Sequence, residues 1–408
     1  MGGVRYTHAN SATIKNILTL RYNPTKKTLL PKLTWRDFVE KQVSHPINFV
    51  EKSIENTIKS EIDNYKKRIP IALSGGIDST LILAMLRKVL PTITIDAISI
   101  KFAESVDESA QAAKIAQKFG ANHHIVYLEN YLQELPKAIS IIKLPFWDLH
   151  WYYVVKKAKS LSNYLVSGDG GDELFGGYTF RYEKFLSLIK PNSSILEKVK
   201  AYLQCHERDW VPDQEEMFDK KARFSWNAIY DKLKSYFDNP LPPLAQVFLA
   251  DFNGKLLYNW LPLYTKFYEY FGVKPVAPIL SKNLISYATH LPYHLKYDYK
   301  KNIGKLLLRK ILGKYVPDTL TSDTKQGFSV NTLNLWKSHG YELCDYYLSD
   351  SRIVKEGWIN QDWIKSRIKK LEKDMNVRYV NKFLGLLALE IWFRLFITKE
   401  IKANTHLD

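Results

Sequence analysis

The sequence predicts an α/β fold, a doubly wound parallel sheet with a large helical C-terminal region, and three observations carry that prediction. Between residues 68 and 166, short β-branched runs alternate with helix-periodic stretches, the pattern of strands joined by crossover helices. Two of these runs stop abruptly at segments rich in glycine and aspartate, Ser74-Gly-Gly-Ile-Asp-Ser-Thr80 and Ser167-Gly-Asp-Gly-Gly-Asp-Glu173. Both fall at the carboxyl ends of strands, where open α/β sheets bind ligands. From about residue 183 the strand signals fade and aromatic-rich helical patterns take over, punctuated by Pro191, Pro212, Pro240, Pro242-Pro243, Pro275 and Pro278.

In chain order, residues 1–45 read as an arm or remnant, because the short element from Ile14 to Tyr22 is interrupted by Asn23-Pro24 and Leu30-Pro31. Residues 46–183 read as the α/β core and 184–408 as the helical region that completes it. Val50, Ile54, Ile58 and Ile62 recur at helical spacing between Phe49 and Tyr65. Ile69, Ile71 and Leu73 make a strand, and Leu81, Ile82, Leu83, Met85 and Leu86 place a helix after the turn. A second strand spans Ile93 to Ile100, and a helix opens at Asp107-Glu108 and stops at Gly120. His123 to Leu128 is the third strand. Helices over Tyr131 to Ile142 and Trp151 to Ala158 lead to the fourth, Tyr164 to Val166.

The 408 residues carry 59 lysines and arginines against 42 acids, a formal charge of +17. That balance suits nucleic acid, an anionic substrate or a lysine-rich surface; the lysines fall in scattered pairs, which favours the last. The only cysteines, Cys205 and Cys344, make no Cys-x-x-Cys motif and no disulfide framework, so a reducing cytoplasm is expected. No secretory signal is recognisable at the N-terminus. The longest apolar run, Phe383 to Ile397, is broken by Glu390 and Arg394 and is expected as a buried helix, so no membrane partner is expected.

The first loop reads as a phosphate site. Gly75 and Gly76 let backbone amides approach an anion, the following helix turn aims free N–H groups at it, and Ser74, Ser79 and Thr80 add hydroxyls. Asp78 would repel a phosphate unless a cation lay between them, for which Mg²⁺ is the natural choice. The alternative is an ordinary tight turn capped by Ser74 or Asp78. In the second loop, five glycines surround Asp169, Asp172 and Glu173, again more carboxylate than a buried turn tolerates without a cation. His123-His124 sit on opposite faces of a strand and are not expected to share a metal, and His206 beside Cys205 lacks further zinc ligands nearby.

Ser-Gly-Gly-x-Asp-Ser after a strand resembles the loop of the ATP pyrophosphatases, the adenine nucleotide α-hydrolase-like fold, which cleave ATP to AMP and pyrophosphate. Paired with Gly168-Asp-Gly-Gly-Asp-Glu-Leu-Phe-Gly-Gly-Tyr178, it resembles the synthetase domain of glutamine-hydrolysing asparagine synthetases, well over residues 48–183. Lys305-Leu-Leu-Leu-Arg309, Lys325-Gln-Gly-Phe328 and Ala388-Leu-Glu-Ile-Trp392 are similar to later family segments in the same order. The resemblance implies an ATP- and Mg²⁺-dependent ligase that adenylates a small carboxylate and lets ammonia or an amine displace AMP. It implies that Asp78 and Asp172 hold Mg²⁺, that Ser74, Gly75, Gly76, Ser79 and Thr80 cradle the phosphates, and that Ala72 and Leu73 also contact ATP. By the same likeness Ile100 lines the adenine pocket, Gly168 lies beside the nucleotide, and Lys325 stabilises charge as pyrophosphate leaves. Asp169 falls where the family often has a glutamate that accepts the proton of the attacking amine. Lys305 is a candidate for the same anionic ligand, although a solvated helix face is its more ordinary place.

The sequence departs from the family in two places. Gly2 stands where the family's glutaminase has its nucleophilic cysteine, and residues 12–36 look like the glutaminase–synthetase junction. This reads as a synthetase domain without a functional glutaminase domain, with ammonia free or supplied by a separate subunit. Where the family has Glu-x-Arg-Val-Pro-Phe-Leu-Asp, this chain has Val273-Lys-Pro-Val-Ala-Pro-Ile-Leu-Ser281, so aspartate as the acid is left open and Lys274 and Lys282 are the candidate replacement charges. An RNA-modifying ATPase and a non-catalytic nucleotide-binding subunit are the alternative functions; the second loop argues against the first, and Asp78, Asp172 and Lys325 against the second.

Overall fold

The computed structural model describes residues 10–24, 28–62, 67–105, 109–317, 328 and 330–408. Five strands, β1 (Arg68–Ala72), β2 (Thr94–Phe102), β3 (Asn122–Leu128), β4 (Tyr164–Val166) and β5 (Lys274–Val276), form one parallel sheet in the order β3-β2-β1-β4-β5. The chain winds outward from β1 through β2 to β3 and then restarts on the other side at β4. The switch point of the sheet therefore lies between β1 and β4, paired at Ile71 and Val166.

Helices α1 (Ser11–Leu20) and α2 (Pro46–Glu61) precede the sheet, and α3 (Ile77–Val89), α4 (Ser109–Lys118), α5 (Leu135–Ile142) and α6 (His150–Leu161) are interleaved with it. Alternation along each strand divides the core into two layers. Ile69, Ile71 and Leu73 join a cluster with Ile54, Ile58, Leu81, Ile82, Leu83 and Met85 on one face. Ala72, Ile98, Ile100 and Leu165 pack with Val154, Val155 and Ala158 on the other.

Differences from the sequence expectations have local causes. The helix expected from Tyr131 begins at Leu135, because Pro136 favours a helix's first turn and the Asn130 side chain accepts from the Leu132 amide in a preceding turn. β5 has no counterpart among those expectations: it is three residues long and contains Pro275, which an edge strand tolerates. Asp107 and Glu108, expected to open α4, lie outside the described residues, as does Gly2.

The second loop runs into α7 (Gly171–Phe175), followed by α8 (Thr179–Leu188) and α9 (Ile195–Gln204). A longer helical run, Pro243 to Phe271, is α-helical at both ends and π-helical from Phe252 to Trp260. The helix Val377–Phe396 is the buried helix expected from its apolar run, and its Glu390 carboxylate accepts from Arg394, Ser351 and the Arg352 amide. Among the described residues no helix is long and apolar enough to cross a membrane. The segment expected as an arm packs into the helical region: Ile14, Ile17, Leu18 and Leu20 are buried, and the Leu18 carbonyl accepts from Gln214 and from the buried Lys382.

Candidate active site

Gly76 flanks the N-terminus of α3 and places Asp78 in its first turn, beside the amides that a helix leaves unpaired. Ser74 and Ser79 close the loop on themselves, with their hydroxyls 3.2 Å apart and Ser79 Oγ donating to the Gly76 carbonyl at 3.3 Å. The second loop lies directly against it. A Cβ on Gly168 would stand 2.8 Å from the Asp78 carbonyl carbon, and one on Gly171 would stand 2.3 Å from Asp78 Cγ, so only glycine permits this approach.

Asp78 and Asp172 converge on one cation, the ammonium of Lys305. Its Nζ is 2.5 Å from Asp78 Oδ2 and 2.9 Å from Asp172 Oδ1. Lys305 is therefore not on a solvated helix face: it has a left-handed backbone (φ 58°) where the helix Leu306–Leu312 begins, and its side chain turns inward. Burial lowers its pKa, but the two carboxylates outweigh burial and hold it above the usual lysine value. The donor set fits a small hard cation in part. Among the described residues no group of three or more His, Cys, Asp or Glu is placed to hold a metal alone, so two carboxylates would need phosphate or water oxygens to complete a Mg²⁺ shell.

Asp169 is half-buried and accepts from Ser167 Oγ at 2.7 Å. Burial pushes its pKa up to about 6, with Asp78 adding to the rise and Ser167 opposing it. Glu173 accepts from the Tyr178 hydroxyl at 2.6 Å.

These groups open on a cavity of about 770 Å³. Of the sequence candidates, Ala72, Ser74, Gly76, Asp78, Ser79, Gly168, Asp169, Asp172 and Lys305 line it. Leu73, Gly75, Thr80 and Ile100 are not among its lining residues. Ile100 is packed in the core, and Phe102, two residues on and on the same strand face, reaches the cavity instead. Lys325 lies outside the described residues, while Phe328 lines the cavity near His150. Lys274 and Lys282 do not line it; Lys274 pairs with Glu61 at 3.0 Å. His123 and His124 bond separately to Ser99 and Asp96.

The helical region supplies lining residues that the motifs did not reveal. Trp151 stacks on Tyr264 with centroids 4.5 Å apart, and Arg181, His206, Lys255 and Trp260 form another part of the wall. Arg181 follows the second loop closely enough to have been suspected; the others carry no local signal, since they meet only through tertiary packing.

A parallel doubly wound sheet with glycine-rich loops at its switch point is the architecture of the ATP-pyrophosphatase class. The asparagine synthase family pattern matches residues 52–394, and the chain belongs to that family. It is 24% identical over 387 residues to the glutamine-hydrolyzing asparagine synthetase 1 of Bacillus subtilis, covering 85% of this chain and 60% of that protein. It is 33% identical over 144 residues to a putative asparagine synthetase of Methanocaldococcus jannaschii, covering 33% of this chain and 28% of that one. The chain thus spans less than two thirds of the length of either relative. Among solved structures, a U34-tRNA thiolase of Methanococcus maripaludis is similar at 14% identity and a TM-score of 0.28, covering 81% of this chain and 80% of that one. A score that low carries no weight for function.

Proposed function

We propose that this chain is an ATP-dependent, AMP-forming ligase that adenylates a carboxylate and passes the acyl group to ammonia or an amine. The observation that carries the reading is the contact between the two loops: Gly168 and Gly171 pack against Asp78, so the phosphate loop and the carboxylate loop share one cavity. Ser74, Ser79 and the α3 amides hold the phosphates, and Asp78 and Asp172 hold Mg²⁺. When bound, Mg²⁺ neutralises phosphate charge. Lys305, between the two carboxylates, would offer its ammonium to the phosphates, and Lys325 would add positive charge as pyrophosphate departs. Asp169 accepts the proton of the attacking nitrogen, its raised pKa placing it near the range useful for a general base.

The substrate is a small carboxylic acid, aspartate being the simplest case from the family; a separate glutaminase subunit as ammonia source and a cytoplasmic setting complete the proposal. RNA modification is less favoured, because the second loop belongs to the amide-forming branch. Product analysis tests the reading: incubation with MgATP and a panel of acids is expected to yield AMP and pyrophosphate in equal amounts. ADP and phosphate instead, or acid-independent turnover only with RNA, would contradict it.

A further inference from the structure

Two groups of aromatic side chains line the cavity. Phe102, at the end of β2, meets Tyr131 edge-on with centroids 5.4 Å apart, and Tyr131 meets Trp147 at 6.3 Å. The second group centres on the stack of Trp151 and Tyr264, with Trp260 6.0 Å from Tyr264 and Phe328 6.4 Å from Trp151. This group belongs to the β4 side. Trp151 Nε1 donates to the Tyr268 hydroxyl at 3.2 Å, Tyr268 meets the hydroxyl of Ser167 just after β4, and Ser167 donates to Asp169. The Asp169 charge also reaches Tyr264, where it adds to the rise in hydroxyl pKa that burial begins. Because β1, which carries the phosphate loop, lies between β2 and β4, the two groups flank that loop. The second stands beside the carboxylate assigned to the attacking nitrogen.

The charges of the wall make no provision for a second carboxylate on the acceptor. Arg21 pairs with Asp148, Arg181 with Asp251 at 3.7 Å, Lys184 with Glu207 at 2.6 Å, Lys255 with Asp209 at 2.5 Å, and Lys305 with Asp78 and Asp172. Burial pushes the pKa of His150 down to about 4 and that of His206 well below the usual histidine value, so both rings are neutral near neutrality. Among the described lysines and arginines of the wall, Arg208 alone makes no ion pair, and it is exposed to solvent. A charge taken out of water is costly unless a partner meets it, whereas an aromatic ring gains by burial against other rings. Aspartate brings an extra carboxylate and an ammonium to this wall. A ring brings neither.

We infer that the acceptor is a monocarboxylic acid bearing an aromatic ring, the ring held by Trp151, Trp260, Tyr264 and Phe328 and the carboxylate presented beside Asp169. The inference rests on the ligase reading above. Phe102, Tyr131 and Trp147, on the β2 side of the phosphate loop, are left for the adenine of ATP. The carboxylate oxygen bonds to the α-phosphorus of ATP as pyrophosphate leaves with the electron pair of the broken bond; nitrogen then displaces AMP and gives up its proton to Asp169, and the ring is unchanged.

The test is acid-dependent exchange of labelled pyrophosphate into ATP, titrated separately with benzoate, phenylacetate, 3-phenylpropionate, acetate, aspartate and glutamate. One of the aromatic acids is expected to half-saturate at a concentration about tenfold or more below both aspartate and acetate. Tyr264→Leu is expected to raise that concentration about tenfold with half-saturation by ATP unchanged, which also checks folding. Should the variant not fold, the acid series on the unaltered protein decides. Aspartate or glutamate as the best acid, equal use of acetate, or an unmoved aromatic preference in a folded Tyr264→Leu would overturn the inference while leaving the ligase reading intact. Weaker half-saturation by ATP in that variant, with the acids unmoved, would give the second aromatic group to adenine and overturn it equally. Absence of exchange with every acid in protein that binds ATP would overturn both.

Discussion

At the residue scale the account turns on Asp169 and Lys305. Asp169, with a pKa raised to about 6 chiefly by burial, is ionised and able to accept a proton only above that value. The rate of amide formation is therefore expected to rise with pH through about 6. Asp169→Asn is expected to slow it about a hundredfold while pyrophosphate exchange, which precedes nitrogen attack, persists; equal loss of both would remove the assigned role. Lys305→Met leaves Asp78 and Asp172 facing each other without their shared cation and is expected to weaken MgATP binding about tenfold in equilibrium dialysis. Unchanged binding would make the lysine a structural counter-ion alone. The loop residues were legible because glycine and carboxylate are informative side by side; Lys305 was a candidate from its segment's likeness, but its place between the two carboxylates was hidden, since its inward turn depends on a left-handed backbone that nothing in Gly304-Lys305-Leu306 announces.

At the scale of elements, buried carboxylates join helices to one another. Glu51 on α2 accepts from Lys314 at 2.5 Å and Lys88 at 2.9 Å, and from Tyr315. Burial raises its pKa, but these partners together lower it to about 2. A depressed carboxyl stabilises the fold above its unfolded pKa of about 4.3 and loses that contribution as pH falls towards 2. The lysine partners reach into solvent, which screens the pair, so Glu51→Gln is expected to cost about 1 kcal/mol at neutral pH by denaturant titration and to flatten the acid limb of the stability curve. Glu390, fully buried, is a second case: Glu390→Gln removes the nearer charge partner of Arg394, 2.8 Å away, leaving only Glu400 at 3.7 Å, and is expected to cost about 3 kcal/mol. A loss under about 0.5 kcal/mol would mean that the pair contributes little. Element type was legible wherever periodicity ran long, as in α2 and α3. β5 was hidden by its brevity and its proline, and the π-helical stretch by a sequence that suits an α-helix equally well.

At the scale of the whole molecule, the sheet brings two loops about 90 residues apart in sequence to adjacent strand ends, and the helical region closes the cavity over them. Both loops fall at the carboxyl ends of neighbouring strands at the switch point, so the ligand end of the sheet was legible in the sequence. The opposite wall was not, because Arg181, His206 and Lys255 come from three separate segments whose meeting is a product of tertiary packing alone. The central claim is that the two loops form one adenylating site. Its most direct test is Mg²⁺-dependent exchange of labelled pyrophosphate into ATP in the presence of a carboxylic acid. The account predicts exchange that requires both the acid and Mg²⁺ and disappears in Asp172→Asn; exchange that survives that substitution, or none with any acid, would contradict it.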